Sequence, residues 1–206
     1  METKDYLNFI VNEIHTVVVA TVDDEGLPVT AAIDMMYADD DSVYFLTAKG
    51  KNLYDRLKNR KYLALTGIKG QDTMSRVALS LRGTVREIGE EKLEILLDKN
   101  PYMYEIYPTE ESRKALSVFQ IYEGVGDWFD LSKRPIERNS FSFGNHGLKD
   151  KGYFISDICI GCGKCIEVCP QDCISSMGIP YVIEQNNCLH CGNCEGICPY
   201  DAVERR

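Results

Sequence analysis

The chain has 206 residues, and its 32 Asp and Glu outnumber its 23 Lys and Arg to give a formal net charge of -9. That balance excludes a module that holds nucleic acid by displacing phosphate counterions, which needs clustered cations. No stretch approaches the roughly 20 apolar residues of a spanning helix, and the opening Met1-Glu2-Thr3-Lys4-Asp5 is charged where an export signal is apolar. A cytoplasmic protein with neither a membrane nor a nucleic-acid partner is therefore expected.

Taken in order, the chain opens with a helix over about 4–14. A β-branched strand follows at 16–22, with a hairpin turn at Asp23-Asp24-Glu25-Gly26. A second strand runs over about 28–38, a turn falls at Asp39-Asp40-Asp41-Ser42, and a third strand covers 43–48. Leu53 and Leu57 share one face of a short helix at 51–58. Strands are expected at 61–68 and 76–88, the second alternating Val77, Leu79 and Leu81 with Ala78, Ser80 and Arg82. A helix at 89–99 buries Leu93, Leu96 and Leu97 ahead of Pro101, and a long strand covers 115–130. Six strands joined by short turns and helices point to a closed β-barrel, mainly β with flanking helices, rather than a parallel α/β sheet. Residues 131–152, with Pro135, Gly144 and Gly147, read as a connector between a domain at 1–130 and another at 153–206.

The boundary is sharpest in the cysteines: none precedes Cys159, and all nine lie beyond it. In a reducing compartment such density means metal or redox chemistry rather than disulfides. The order is Cys159-x2-Cys162-x2-Cys165-x3-Cys169-Pro170, repeated as Cys188-x2-Cys191-x2-Cys194-x3-Cys198-Pro199. A tight C-x2-C-x2-C loop wraps three thiolates around one face of a cubane cluster, whereas structural zinc pairs two short hooks or adds histidine. Gly161, Gly163 and Gly192 let the backbone turn closely about the sulfurs. His190 falls inside the second loop as a bystander, because four thiolates are already supplied.

Residues 153–204 resemble the bacterial two-cluster ferredoxin family, a small α+β fold. The resemblance implies two oxygen-sensitive 4Fe-4S clusters that carry single electrons, as suits an anaerobic setting. It also implies ligand sets that cross between the repeats. Cys159, Cys162, Cys165 and Cys198 hold the first cluster, and Cys188, Cys191, Cys194 and Cys169 the second. Cys173 is left over and reads as a small buried residue under the first cluster rather than as a redox thiol, the alternative.

The first domain has its own set of markers. These are the opening helix, Ala20-Thr21-Val22-Asp23-Asp24-Glu25-Gly26-Leu27-Pro28, then Val43-Tyr44-Phe45-Leu46-Thr47-Ala48-Lys49-Gly50-Lys51-Asn52-Leu53, Arg56-Leu57-Lys58-Asn59 and Leu81-Arg82-Gly83-Thr84-Val85. In order and spacing they resemble the FMN-binding split-barrel, pyridoxamine 5'-phosphate oxidase-like family over about residues 4–130. The resemblance implies a homodimer with FMN at the subunit interface. It places the phosphate near Thr47, Ala48, Lys49, Lys51 and Asn52, where cations meet a helix start. It lays the isoalloxazine along Thr30, Ala31, Ala32, Ile33 and Asp34. Trp128, the only tryptophan, is a candidate cover for the ring or else a core or dimer-interface aromatic. The arginine and lysine of true pyridoxamine phosphate oxidase have no counterparts on the second strand, where Thr30, Ala31 and Met36 stand. Oxidation of vitamin B6 is not expected.

Together the two parts imply a flavin-dependent reductase of a small substrate in which clusters relay single electrons to or from FMN. The alternative is a non-enzymatic carrier linking a low-potential donor to a partner protein. A solvent-open cavity over the ring distinguishes them. His15, His146 and His190 are scattered along the sequence and read as structural, so no acid–base constellation is expected.

Overall fold

A computed structural model describes all residues from Met1 to Arg206, and the chain divides into two compact units. The first comprises residues 1–70, 78–127 and 140–147; the second comprises 71–77, 128–139 and 148–206.

The first unit is built on strands β1 (Thr16–Val22), β2 (Pro28–Asp34), β3 (Tyr37–Ala38), β4 (Val43–Ala48), β5 (Tyr62–Lys69), β6 (Val77–Gly89), β7 (Leu116–Asp130) and β8 (Glu137–Phe143), save Val77 and residues 128–130 and 137–139, which count with the second. They form one sheet in the order β2-β1-β5-β6-β7-β4-β3, with β8 paired to β7. The ladder is not closed as expected, for β2 and β3 are its two ends. These ends are nevertheless consecutive in the chain, and the physical reason lies at Met35–Met36. The Met35 N–H donates to His15 O at 2.8 Å on the β1 side, while the Met36 N–H donates to Tyr44 O at 2.9 Å on the β4 side. One extended segment thus changes partners midway, and the barrel is split there.

The interior follows strand alternation: Val17 and Val19, Leu63 and Leu65, and Leu79 and Leu81 are buried from β1, β5 and β6. Phe45 of β4 stacks on Phe119 of β7 with centroids 5.7 Å apart. β4 does not alternate, since all of Val43 to Thr47 are buried. Its outer face is covered by helices α3 (Leu93–Lys99) and α4 (Tyr102–Ile106), whose Leu96, Leu97 and Met103 pack on Tyr44 and Leu46. Helix α1 (Thr3–Phe9) buries Tyr6 and Leu7, with Tyr6 stacked on Phe141 of β8 at 4.5 Å. A π-helical turn at Ile10–Ile14 carries α1 into β1. Helix α2 (Asn52–Arg60) buries the expected Leu53 and Leu57 and stops at Lys61, which takes a left-handed φ of 52°.

Residues 131–152 are not uniformly irregular: β8 lies among them, and its pairing with β7 splits them between the two units. Helix α4 and helix α5 (Glu110–Arg113) fill a stretch to which the sequence reading assigned nothing.

The second unit carries β9 (Tyr153–Ile155), α6 (Lys164–Glu167), β10 (Ile174–Ser175), β11 (Val182–Ile183), α7 (Asn193–Ile197) and β12 (Val203–Arg205). β9 pairs with β12, and β10 with β11, both antiparallel. The sequence repeat is a structural repeat too. Gly163 and Gly192 precede α6 and α7 at φ of 82° and 80°, and Asp172 and Asp201 both take φ of 51°. Segment 128–139 is tied into this unit, since Gln171 Oε1 accepts from Ile136 N–H at 2.9 Å and Asn187 Nδ2 donates to Ile136 O at 3.0 Å.

Candidate functional site

In the second unit the eight cysteines of the two runs sort into two cavities. One, with about 340 Å³ of empty space, is lined by Cys159, Cys162, Cys165 and Cys198. The other, with about 330 Å³, is lined by Cys188, Cys191, Cys194 and Cys169. Each cavity takes one of its lining cysteines from the other repeat, and the near-equal volumes match the repeat. A C-x2-C-x2-C-x3-C-P run present twice suits a cluster better than zinc, which pairs two short hooks.

Backbone amides already point at the sulfurs. Gly161 N–H donates to Cys159 Sγ and His190 N–H to Cys188 Sγ, both at 3.4 Å, and Ala202 N–H donates to Cys198 Sγ at 3.3 Å. Gly161 and His190 occupy the same place in the two loops with φ of 72° and 56°. His190 thus takes a left-handed slot that glycine fills in the first repeat. Burial pushes the Cys165 and Cys194 thiols up from their ordinary range, so metal must displace protons from them.

Cys173 requires a correction. It lies not with the first set but in the cavity of Cys169, Cys188, Cys191 and Cys194, its Sγ 3.5 Å from that of Cys169. Burial and these two neighbouring thiols, Cys169 and Cys188, hold it protonated. Its counterpart in the other repeat is Ala202, buried and lining the other cavity. That pairing accounts for the small side chain.

In the first unit a cleft with about 740 Å³ of empty space opens beside the split in the barrel. Of the residues expected to meet FMN it gathers Ala32, Ile33 and Asp34 from β2, Thr47 and Ala48 from β4, and Lys51. Thr30 and Ala31, earlier on β2, do not reach it, nor does Asn52. Lys49 is drawn elsewhere, donating from Nζ to Lys114 O at 3.0 Å. Trp128 is also absent from the cleft of this chain; it is 5% exposed and belongs to segment 128–139 of the second unit. Met36, Leu46, Met103, Ile106 and Leu116 supply an apolar floor.

Two features favour a bound anion. Thr47 Oγ1 is buried beside the cleft with no hydrogen-bond partner, at a cost of about 1–3 kcal/mol that a ligand would relieve. Lys51 precedes α2 and no side chain caps the helix, so first-turn N–H groups and an ammonium group stand together. The residues present fit FMN: Lys51, Thr47 and the α2 start would hold its phosphate end, and Ala32 to Asp34 would meet its ring.

The sequence reading missed an acid–base cluster on the same wall. Asp34 accepts from Thr16 Oγ1 at 2.6 Å and from Tyr102 OH at 2.8 Å, and His15 Nε2 lies 3.2 Å from that hydroxyl. His15 is therefore not isolated. Burial alone would raise the Asp34 carboxyl, but hydrogen bonds from Thr16 and Tyr102 and the nearby His15 outweigh it and hold the group below the usual carboxylate range. Tyr102 comes from α4, and the proline before that helix, Pro101, was read only as the stop of the previous one.

Residues 3–124 match the family model described as pyridoxamine 5'-phosphate oxidase. The chain belongs to the pyridoxamine 5'-phosphate oxidase family. Attached to this split barrel, residues 158–202 match the model of a 4Fe-4S dicluster domain, so an iron–sulfur module follows the family's fold. Solved structures agree on the fold of the family part. A NimC/NimA family protein from Clostridium acetobutylicum is 17% identical with a TM-score of 0.57, covering 68% of this chain and 91% of its own. A protein from the same organism, related to general stress protein 26 of B. subtilis and of the pyridoxinephosphate oxidase family, is 20% identical with a TM-score of 0.51, covering 67% and 94%. A heme binding protein from Mycobacterium smegmatis is 12% identical with a TM-score of 0.54, covering 69% and 58%. Among proteins of curated function, none matches the chain.

Proposed function

We propose that the protein is an FMN-dependent reductase with two built-in 4Fe-4S clusters. The observation that carries this reading is the pairing, in one chain, of a flavin-family barrel with eight cysteines sorted four and four. When bound, the clusters pass single electrons and the flavin exchanges one or two, so the pair converts one-electron supply into two-electron reduction of a small molecule. The chain's part is to set out the thiolates, to hold the phosphate end with Lys51 and Thr47, and to keep an apolar floor beside a polar wall. The open cleft favours a substrate over a purely protein-to-protein carrier.

Self-association belongs to the same reading. The outer faces of β1 and β5 leave Val18, Val22, Tyr62 and Ile68 exposed, a run of apolar groups on neighbouring strands. A second copy of the chain is proposed to cover them.

The test is purification without oxygen, followed by assay of iron, sulfide and released flavin, with the mass in solution from light scattering. The reading expects roughly eight irons and one FMN per chain in a dimer. Zinc in place of iron, or no retained flavin, would overturn it.

A further inference from the structure

The cluster on the cleft wall has no part in the phosphate end or the apolar floor of the FMN site. Asp34 and Tyr102 line the cleft, and His15 reaches both, its Nε2 3.2 Å from Tyr102 OH and 3.5 Å from Asp34 Oδ2. The imidazole stands edge-on to the phenol with centroids 6.0 Å apart, and its side chain is 35% exposed. His15 also sits at φ 65°, ψ -71°, where the π-helical turn meets β1. Backbone outliers in non-glycine residues are concentrated at functional sites. Here the strained residue is the one that delivers a titratable ring to two polar groups of the cleft.

We propose that His15, Tyr102 and Asp34 form a proton relay opening on the cleft, in which the Tyr102 hydroxyl protonates a small reducible molecule. The proposal rests on the flavin reading above, with reduced flavin as the reductant. A quinone, nitroaromatic or enone that has gained a hydride equivalent is an anion one proton short of its neutral product. In the relay the Tyr102 hydroxyl turns away from Asp34, its acceptor at rest, the O–H bond breaks and a bond from that hydrogen to the product forms. The phenolic oxygen takes the Nε2 proton of protonated His15, and water returns a proton to the exposed imidazole. Charge and protons balance at each site.

The electrostatics constrain this order. Burial first, then the Asp34 hydrogen bond, push the Tyr102 phenol well above its ordinary range, so a free phenolate is not a resting state. Release to the product must accompany refilling from His15. Asp34 stays ionised and steadies the imidazolium. The groups facing His15 are Asp34 from β2 and Tyr102 from α4. Glu13, two residues earlier, is engaged by Lys69 of β5, and Lys51 and Tyr107 stand on the same cleft.

The experiment uses anaerobic, FMN-loaded full-length protein, reduced and then mixed with menadione, a quinone, or with ferricyanide, which accepts electrons without protons. Bound FMN is measured in every variant. Tyr102→Phe and His15→Gln are expected to slow menadione about 100-fold, the scale of general acid catalysis, with FMN content and ferricyanide rates unchanged. In the wild type the menadione reaction should show a solvent isotope effect, lost in His15→Gln. A readout apart from turnover is the histidine ring 15N shift: Tyr102→Phe should move the His15 signals and leave those of His146 and His190 in place. Equal menadione rates in wild type and variants, no menadione reduction by wild type, or unmoved His15 shifts would overturn the relay. Failure of the wild type to hold FMN would instead sink the flavin reading beneath it.

Discussion

At the scale of single residues, the cleft is defined by side chains whose needs are not met within the chain. Thr47 is the clearest, because a buried hydroxyl without a partner is unusual in a settled core. Thr47→Val, which removes the hydroxyl at nearly constant volume, should leave folding stability unchanged or slightly raised while weakening FMN. Lys51→Ala should weaken FMN more, by about 1.5–3 kcal/mol, the worth of a hydrogen bond to a charged group. Flavin fluorescence titration checks both, and equal affinity in wild type and Lys51→Ala would remove the phosphate from the start of α2. Lys51 and Thr47 were legible in the sequence because the strand-to-helix junction fixes them within a few residues of each other. His15 and Tyr102 were not. They are 87 positions apart, and only the turn at the end of α1 and the seating of α4 on β4 bring them together. Lys49 shows the converse: two lysines flank Gly50, yet one of them is spent on the Lys114 carbonyl.

At the scale of elements, the β2–β3 segment decides where the cleft lies. The change of partner at Met35–Met36 opens the barrel wall, and Asp34 and Met36 stand on either side of the opening. The sequence showed one strand over 28–38, since period-two alternation carries no mark of a change in hydrogen-bond partner. The helices after residue 100 were missed for a related reason: α4 and α5 have five and four residues, too short for a period to register. The cysteine repeat was legible almost whole, because each loop is local and its glycines and cysteines fix it. The crossing of Cys169 and Cys198 is the one long-range feature, and it can be tested element by element. Cys198→Ser should lower iron from the set of Cys159, Cys162 and Cys165, and Cys169→Ser from the set of Cys188, Cys191 and Cys194. Each variant should retain roughly half the iron. Pairing each mutation with Cys162→Ser separates the cases. Cys198→Ser should add little further loss, whereas Cys169→Ser should remove most of the remaining iron. The reverse pattern would assign the fourth ligand to its own repeat.

At the scale of the whole molecule, two sequence regions of different composition carry two kinds of site, and the account stands on electrons passing from one kind to the other. The acidic charge, shared by both regions, suits approach to a basic electron donor without fixing which one. The most direct measurement mixes oxygen-free, FMN-loaded protein with a reduced ferredoxin and follows flavin absorbance in the wild type and in Cys162→Ser/Cys191→Ser. The double variant, with FMN still bound, should lose most of the rate of flavin reduction. Flavin reduced equally fast without intact clusters would contradict it.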